Sequence, residues 1–581
     1  MDEIEISINK WALKNAHDYG SANAGKIIGK VLSEHPQMKN QTKELMGKIA
    51  VEVQRINEMT KEQVEAELSK YSFEEKKKEE EKGISLPNAV QGKVITRFPP
   101  EPSGFLHIGH AKAAFLNFEG ARAHGGKMRL RMDETNPLKS KQEFVDATIE
   151  YLRWLGIKWD FEITYSSDYM EKYYELADEL MLKGMAYVCT CSQDEIKKGR
   201  ESGKRCDCQC KMPEENVIDF RKMMNGKFTT GQAIVRYKGD MKSDNTVMRD
   251  PTLFRIIDAP HFRQKDKYKC WPSYDFAAPI IDSTEGVTHA MRSKEYELRD
   301  ELYYAILDAL EMRKPKLISF SRLAIKGAPI SKRLITPLIE EGKVSGYDDI
   351  RLPTLAALKK RGITPEAIKK FVLSFGLTKV ESEPGWDKLL SENRKIIDVN
   401  AQRRFFVHQP ARVEISGLMQ KNISVKNHPQ NEGLGVREML ASSPAYICQA
   451  DADAIAEGET FRLKDWCNVK LKAKRKISAH MPDGKEGQMD VLECEFVSDE
   501  GNVQKKMQWV ADSAKAVACV LVPHDLYIDE KFNENSLEEV WGWTERTCLF
   551  DIERNAFQFE RFGFVMLDKK GERLQYFFIS Q

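Results

Sequence analysis

The chain has no long apolar run and a formal net charge of only +1, and these two features limit the classes of protein to which it can belong. No stretch of about 18 apolar residues occurs among its 581 residues, so we expect neither a membrane span nor a membrane partner. Its 90 basic and 89 acidic side chains give a formal net charge of +1, so contact with nucleic acid would depend on local basic patches. The acidic start of the chain has no apolar segment of signal-peptide type, and we therefore expect a cytoplasmic protein.

What the sequence contains is a succession of differently patterned segments. Because 581 residues are too many for one core, several domains are expected. Apolar residues have helical spacing from residue 1 to about 70 and again over residues 340–405. Predicted strands and helices alternate from 90 to about 190 and from 273 to about 325. Short predicted strands dominate from residue 410 onward. The alternating part predicts a strand over Met128–Met132 and helices over Phe144–Leu155 and Tyr169–Lys183. The fold class is thus multidomain α/β, with a parallel sheet and one or two C-terminal β-barrels.

The most informative motif joins a strand to a helix. Val94–Thr96 predicts a buried strand, three prolines and a glycine follow as a rigid turn, and Ala111–Leu116 predicts a helix. His107 and His110 therefore stand at a helix start on one side, and Gly109 between them would let a flat ligand approach. This place, at the carboxyl end of a strand, would offer imidazole hydrogen-bond donors and the positive N-terminus of a helix. Both features suit the binding of a nucleoside triphosphate. The alternative is a capped core helix with two incidental histidines.

Cysteines are clustered in one short segment. Of 11 cysteines, five lie between residues 189 and 210, which in a reducing compartment indicates metal binding. Four thiolates close a tetrahedral zinc site. We choose Cys189, Cys191, Cys206 and Cys208, with Cys210 as the substitute for Cys206 or Cys208. The alternative is a set of free thiols.

At these residues the chain resembles a known family. The tetrapeptide His107–His110 resembles the signature of class I aminoacyl-tRNA synthetases, and the block Arg97–His110 resembles their glutamyl and glutaminyl branch. Ile330–Arg333 resembles the second signature loop, with Pro329 where the first lysine would stand. The resemblance implies a Rossmann-type catalytic domain that uses ATP and Mg²⁺. It assigns catalysis to His107, His110 and Lys332, and ATP binding to these three together with Gly109, Ser331 and Arg333.

The resemblance also implies an amino-acid pocket. Asp133 would hold the α-ammonium group with help from Tyr274, Arg97 and Arg292 would face the side-chain carboxylate, and Ser103 completes the substrate-binding set. A buried arginine facing a carboxylate favours glutamate, because glutamine would leave the guanidinium unpaired. The alternative for Arg292 is a surface salt bridge with Glu295 or Glu297.

The resemblance to glutamyl-tRNA synthetases of archaeal and eukaryotic type covers about residues 90–581. It implies these segments: an appended N-terminal helical domain at 1–88, the two halves of the catalytic domain at 89–190 and 271–325, an inserted acceptor-stem domain with structural zinc at 191–270, the signature loop and a helical stem-contact domain at 326–409, and anticodon-binding β-barrels at 410–581. Lys470, Lys472 and Lys474 alternate along a predicted strand as a candidate tRNA track. An exposed strand edge would have the same pattern.

The activity implied is ligation of L-glutamate to glutamate tRNA through glutamyl adenylate, by a monomer. Whether glutamine tRNA is also charged stays open. The nearest alternative is a glutaminyl-tRNA synthetase, and Arg292 opposes it. A catalytically silent tRNA-binding paralogue is opposed by the intact histidine pair and the Ser-Lys-Arg loop, and a truncated relative that glutamylates a base in tRNA is opposed by the C-terminal strands.

Overall fold

The computed structural model describes residues 3–71, 84–501 and 503–581. The chain divides into two compact units, Met1–Lys82 and Gly83–Gln581.

The first unit is a helical bundle, as the apolar spacing predicts. Its core is made by side chains three or four residues apart, among them Ile27 and Val31, and Leu45 and Ile49. Thr60 and Gln63 form a reciprocal capping box at the last helix. The helices are α1 (Glu3–Tyr19), α2 (Ala24–Glu34), α3 (Thr42–Asn57) and α4 (Lys61–Leu68).

The second unit begins with a parallel sheet flanked by helices. β1, β2 and β3 pair in that order and all in parallel, and β8 pairs in parallel with β9. Thr288 joins the two groups, since its amide donates to Ile95 O at 2.8 Å. The elements are β1 (Ile95–Phe98), α5 (Ile108–Arg122), β2 (Lys127–Met132), α6 (Gln142–Trp154), β3 (Thr164–Tyr165), α7 (Met170–Leu182), α10 (Tyr274–Thr284), β8 (His289–Ser293), α11 (Asp300–Ala309) and β9 (Lys316–Phe320). The predicted strand and two helices are confirmed within two residues at each end.

A four-stranded antiparallel sheet is inserted between α7 and α10. Its strands pair in chain order around an aromatic core that includes Tyr174, Phe220 and Phe254. The elements are β4 (Ala186–Cys189), α8 (Gln193–Ser202), α9 (Pro213–Met224), β5 (Ile234–Tyr237), β6 (Thr252–Ile256) and β7 (Cys270–Pro272). The sheet therefore starts before the predicted boundary at 191, because Cys189 already belongs to its first strand. It ends after the predicted boundary at 270, because its last strand continues to Pro272.

Four helices connect the parallel sheet to the C-terminal half. Thr354 and Thr364 cap α13 and α14 through their hydroxyl oxygens. Gly362 ends α13 with φ +91°, and a Cβ there would lie 2.6 Å from Met566 Cε. The helices are α12 (Lys332–Glu340), α13 (Leu355–Arg361), α14 (Pro365–Leu373) and α15 (Trp386–Ile397).

The C-terminal half consists of two seven-stranded mixed sheets. The first contains β12 (Pro410–Ser416), β15 (Ala445–Cys448), β16 (Thr460–Leu463), β17 (Asn468–His480), β18 (Glu486–Ser498), β19 (Lys506–Met507) and β20 (Val510–Ala511), with α16 (Gln449–Asp453) beside it. The second contains β10 (Gln402–Arg404), β11 (Phe406–His408), β21 (Lys515–Pro523), β24 (Leu537–Glu545), β25 (Ala556–Phe559), β26 (Gly563–Lys569) and β27 (Leu574–Ser580). The hairpins are β13 (Lys421–Lys426) with β14 (Val436–Ala441), and β22 (Tyr527–Ile528) with β23 (Lys531–Phe532).

The strands of the second sheet are not contiguous in sequence. Gln402 pairs with Phe557, and Phe406 pairs with Thr544. Residues 402–408 thus belong to the C-terminal sheets and not to the helical segment 326–409, because their hydrogen-bonding partners lie about 140 residues further along the chain.

A buried ionic network holds the parallel sheet to α10. Asp282 Oδ1 accepts hydrogen bonds from Arg97 Nε at 2.9 Å and Arg131 Nη2 at 2.8 Å, and Oδ2 accepts one from Tyr303 at 2.9 Å. Burial works to raise the pKa of Asp282, but the two guanidinium groups outweigh it and bring the pKa to about 2. β1, β2, α10 and α11 meet at this carboxylate.

Replacing Asp282 with alanine should lower the free energy of unfolding by about 3–5 kcal/mol, because two buried guanidinium groups lose their shared anion. The measurement is urea unfolding followed by circular dichroism. Asp308→Ala on α11 is the matched control, since that carboxylate is 60% exposed in its pair with Lys314 and should cost less than about 1 kcal/mol. Equal losses in the two variants would contradict a structural role for the network.

Candidate functional site

The two histidines of the first motif cap helix α5 with their rings. His107 Nδ1 accepts from Gly109 N at 3.1 Å, and His110 Nδ1 accepts from His107 N at 3.2 Å. The ring centroids are 3.9 Å apart. Because each Nδ1 is an acceptor, the neutral rings carry their protons on Nε2. Both rings can therefore donate one hydrogen bond to a ligand.

Protonation of these rings is disfavoured. Burial, with the neighbouring His110, lowers the pKa of His107 well below its usual value, and burial lowers that of His110 to about 4. At neutral pH both histidines are thus uncharged hydrogen-bond donors.

The start of α5 differs from the prediction in one respect. The backbone amides of its first turn are occupied, because Ile108 N donates to Pro353 O at 2.9 Å and His110 N to His107 O at 2.9 Å. An anion at this end must therefore contact side chains and not free amides. A Cβ on Gly109 would lie 2.9 Å from His107 Cε1 and 3.1 Å from Leu323 O. Glycine allows this close packing of the His107 ring and the Leu323 carbonyl, and the role of Gly109 in ATP binding stays a prediction.

The second motif reaches the first through one lysine. Ser331 precedes α12, which begins at Lys332. Lys332 Nζ donates to Ser103 O at 2.9 Å and lies 5.0 Å from the centroid of the Phe144 ring. Ser331, Lys332 and Arg333 are all exposed. The structure thus brings Lys332 to the turn after β1, although 229 residues separate it from Ser103.

The predicted amino-acid pocket is assembled around Tyr274. Burial raises the pKa of this phenol to about 12, and Arg292, Arg97 and Asp133 all act on it electrostatically. Arg97, on β1, uses Nε and Nη1 in bonds to Asp282 and to Met291 O, which leaves Nη2 for a ligand. Four predicted substrate residues therefore lie together.

Ser103, the fifth predicted substrate residue, contacts groups other than the four residues that lie together at Tyr274. Its hydroxyl donates to Glu101 Oε2 at 3.0 Å, and its carbonyl accepts from Lys332. It contacts the second motif and has no recorded bond to the arginines of the pocket.

Arg292 is buried and incompletely paired. Its side chain is 3% exposed, Nη2 donates to Tyr296 O at 2.8 Å, and Asp300 Oδ1 lies 3.3 Å away. Its buried Nε has no partner in the described part of the chain. The alternative of a surface salt bridge is wrong, since Glu295 pairs with Arg322 and Glu297 with Lys379.

Sequence reasoning missed the residues that hold Asp133. Its Oδ1 accepts from Arg131 Nε at 2.9 Å and from Ser166 Oγ at 2.7 Å. Arg131 is fully buried within β2. The position of a charged residue inside a predicted buried strand could have revealed these contacts, because a buried charge requires polar or charged partners.

Four of the five clustered cysteines converge. The sulfurs of Cys189, Cys191, Cys206 and Cys208 all lie within 4.8 Å of one another. The closest pairs are Cys189 with Cys206 at 3.7 Å and Cys191 with Cys208 at 3.8 Å. These match the edge of about 3.8 Å in a tetrahedron with Zn–S bonds of about 2.3 Å. The fifth, Cys210, is exposed and outside this group.

The surroundings of the cysteines also suit a metal. Arg236 Nη1 lies 3.8 Å from Cys206 Sγ and 4.0 Å from Cys189 Sγ, so a guanidinium group faces these two sulfurs. Without a metal, burial raises the pKa of Cys189 to about 11. Ionisation of the whole set at neutral pH therefore requires a bound cation.

The candidate tRNA lysines lie on β17. Lys470, Lys472 and Lys474 are exposed, but a register shift between Leu471 and Ala473 interrupts the strand. Lys472 Nζ is 2.5 Å from Glu495 Oε2, and Lys474 Nζ donates to Ala452 O at 2.6 Å. Two of the three are thus held by neighbours, and their role in tRNA binding stays a prediction.

Among the described residues, no helix combines the length and the apolar character needed to cross a bilayer.

The fold and the site are those of a class I aminoacyl-tRNA synthetase. The neutral pair His107 and His110 follows the first strand of a parallel sheet, and Lys332 contacts the turn between that strand and the histidines. Residues 93–399 match the catalytic domain of the class I tRNA synthetases for E and Q, and residues 401–484 match their anticodon-binding domain. The chain belongs to this family.

Relatives within the family share nearly the whole chain. It is 46% identical over 579 residues to a glutamate–tRNA ligase of Nitrosopumilus maritimus, covering 99% of each protein. Glutamate–tRNA ligases of Cenarchaeum symbiosum and Pyrococcus abyssi are 41% and 36% identical, covering 97% and 98% of this chain and 98% and 99% of their own lengths. A crystal structure of a glutamate tRNA ligase from Elizabethkingia meningosepticum covers 53% of this chain and 70% of its own at 20% identity and a TM-score of 0.38.

Metal analysis of freshly purified protein should find about one zinc per chain, because the sulfur spacing fits a tetrahedral site. Cys206→Ser should release it, whereas Cys210→Ser, the matched control, should retain it. The absence of metal in wild-type protein, or equal loss in both variants, would contradict the four-cysteine site.

Proposed function

We propose that this protein ligates L-glutamate to the 3′ end of glutamate tRNA with ATP, by way of glutamyl adenylate. Family membership and relatives named glutamate–tRNA ligase support the reaction class. The observation that carries the choice of amino acid is the buried, incompletely paired Arg292.

The amino acid is held at both ends in this proposal. Arg97 Nη2 and Arg292 bind the side-chain carboxylate, and the charge-assisted bonds complete the hydrogen bonding of the two guanidinium groups. Asp133 binds the α-ammonium group through Oδ2, because Oδ1 already accepts from Arg131 and Ser166. Tyr274 helps Asp133 to hold the α-ammonium group.

ATP is bound by the two motifs together. The Nε2–H groups of His107 and His110 donate to the nucleotide. Lys332 and Arg333 neutralise the triphosphate, and the hydroxyl of Ser331 donates a hydrogen bond to it. Gly109 contributes by letting the two rings pack. Mg²⁺ would enter as part of the Mg–ATP substrate and would share in neutralising the phosphate charge.

The reaction needs no nucleophile from the protein. An α-carboxylate oxygen of glutamate attacks the α-phosphorus, the bond to the bridging oxygen breaks, and pyrophosphate leaves with the electron pair. A hydroxyl of the terminal tRNA ribose then attacks the acyl carbon, and AMP leaves. The side chains contribute positioning and charge stabilisation.

Glutamine is the competing substrate, and a glutaminyl enzyme is the alternative. Bound glutamine would offer no carboxylate to the Arg292 guanidinium, which has Asp300 3.3 Å from Nη2 but no partner for Nε in the described part of the chain. Loss of that charge-assisted contact costs about 1.5–3 kcal/mol, or roughly tenfold to hundredfold in preference for glutamate. Selection between glutamate tRNA and glutamine tRNA falls to the C-terminal sheets, where Lys470, Lys472 and Lys474 lie. We expect the enzyme to act as a monomer, with zinc stabilising the insertion that packs on the acceptor stem.

Arg292→Ala should raise KM for glutamate by roughly tenfold to hundredfold, because a charge-assisted contact is lost, and should leave KM for ATP within about twofold. Steady-state aminoacylation with each substrate varied in turn measures both constants. The control is Arg322→Ala, which removes a 57%-exposed arginine and should change neither. Parallel losses for glutamate and ATP in Arg292→Ala would contradict the pocket assignment.

A further inference from the structure

Glu134, directly after Asp133, is a buried carboxylate that the proposed reaction does not use. Its side chain is 0% exposed. Its Oε2 accepts from Ser167 N at 3.1 Å, and its Oε1 accepts from Ser167 Oγ at 2.6 Å. Ser167 belongs to a short 3-10 turn, Ser166–Tyr169, that follows β3. Glu134 therefore fixes the start of this turn to the end of β2.

The same turn carries the hydroxyl that orients Asp133. Ser166 Oγ donates to Asp133 Oδ1 at 2.7 Å, opposite the bond from Arg131 at 2.9 Å. Two donors on one oxygen fix the plane of the carboxylate and leave the other oxygen for a ligand. A displacement of Ser166 would release one of the two donors and let the carboxylate rotate.

A segment between β6 and β7 of the inserted sheet covers Glu134. His261 Nε2 lies 2.9 Å from Glu134 O, and Gln264 Nε2 donates to Ser167 O at 3.2 Å. Arg263 Nη1 is 3.6 Å from Glu134 Oε1, and its guanidinium carbon lies 3.5 Å from the Tyr165 ring centroid. Glu134 thus contacts both the inserted sheet and the turn that orients Asp133.

We propose that Glu134 is a positioning residue for the amino-acid site, acting through Ser167 and Ser166 to hold the Asp133 carboxylate toward the α-ammonium group. The inference rests on the proposed function, since it assigns Asp133 to glutamate binding. Glu134 itself touches no substrate. Its loss should therefore weaken glutamate binding selectively and leave the nucleotide site, which lies on α5 and α12, unchanged.

The test compares Glu134→Gln, Ser166→Ala and the double variant in aminoacylation, with glutamate and ATP varied in turn. Each single change should raise KM for glutamate by about tenfold, the effect of one lost bond to a charged group, with KM for ATP within about twofold. The double variant should be no worse than the more severe single one, because both changes break the same connection. Multiplicative losses, or equal changes in both KM values, would overturn the proposal.

Glu171→Gln is the matched control. Glu171 lies in α7 and is 69% exposed, so both KM values should stay at wild-type level. If Glu134→Gln does not fold, as judged by circular dichroism, Ser166→Ala still decides, and an unchanged KM for glutamate in that variant would overturn the inference. Failure of wild-type protein to charge tRNA with glutamate would instead refute the proposed function.

Discussion

The catalytic sheet depends on one buried anion placed between two arginines. Arg97 and Arg131 come from neighbouring parallel strands, and their side chains meet at Asp282 of α10. Without that carboxylate Arg97 would lose its buried ion pair, while Arg131 would keep Asp133 and Glu285 as anionic partners. The two guanidinium groups would then repel each other in a medium of low polarity. Because Arg97 is fixed through Nε and Nη1, its remaining nitrogen has a defined direction, and Arg131 in turn holds Asp133. The positions of Arg97 and Asp133, the two ends of the proposed amino-acid site, thus follow from the buried ion pairs of the sheet.

A second constraint connects the lysine motif to the C-terminal sheets. Gly327 O accepts from Tyr527 N at 3.1 Å, and a Cβ on Gly327 would lie 2.9 Å from Asp525 Cγ. Leu526 shares a buried cluster with Ile335 and Leu338 of α12. The loop before Lys332 therefore packs against the β22–β23 hairpin and the residues just before it. The position of this lysine in the proposed nucleotide site thus depends on residues far along the chain.

Sequence patterns predicted the features of the structure that depend on residues close together in the chain. The strand and helix around His107 follow from β-branched residues, prolines and apolar spacing, and the four cysteines follow from their spacing within 20 residues. The sequence could not show that Pro353 caps α5, or that residues 402–408 pair with strands near 544 and 557. Those contacts are set by long-range packing, for which a single sequence carries no periodic signal. A charged residue in a predicted buried strand indicated that Arg131 must have partners, but it did not identify them.

The most direct test is aminoacylation by the purified wild-type protein, with glutamate tRNA and glutamine tRNA each offered labelled glutamate and labelled glutamine. We expect glutamate to become attached to glutamate tRNA in an ATP-dependent reaction, and glutamine to be attached to neither tRNA. Glutamate on both tRNAs would mean that the anticodon region does not discriminate, and it would leave the amino-acid pocket as described. Glutamine on glutamine tRNA would contradict the role given to Arg292 and with it the central claim.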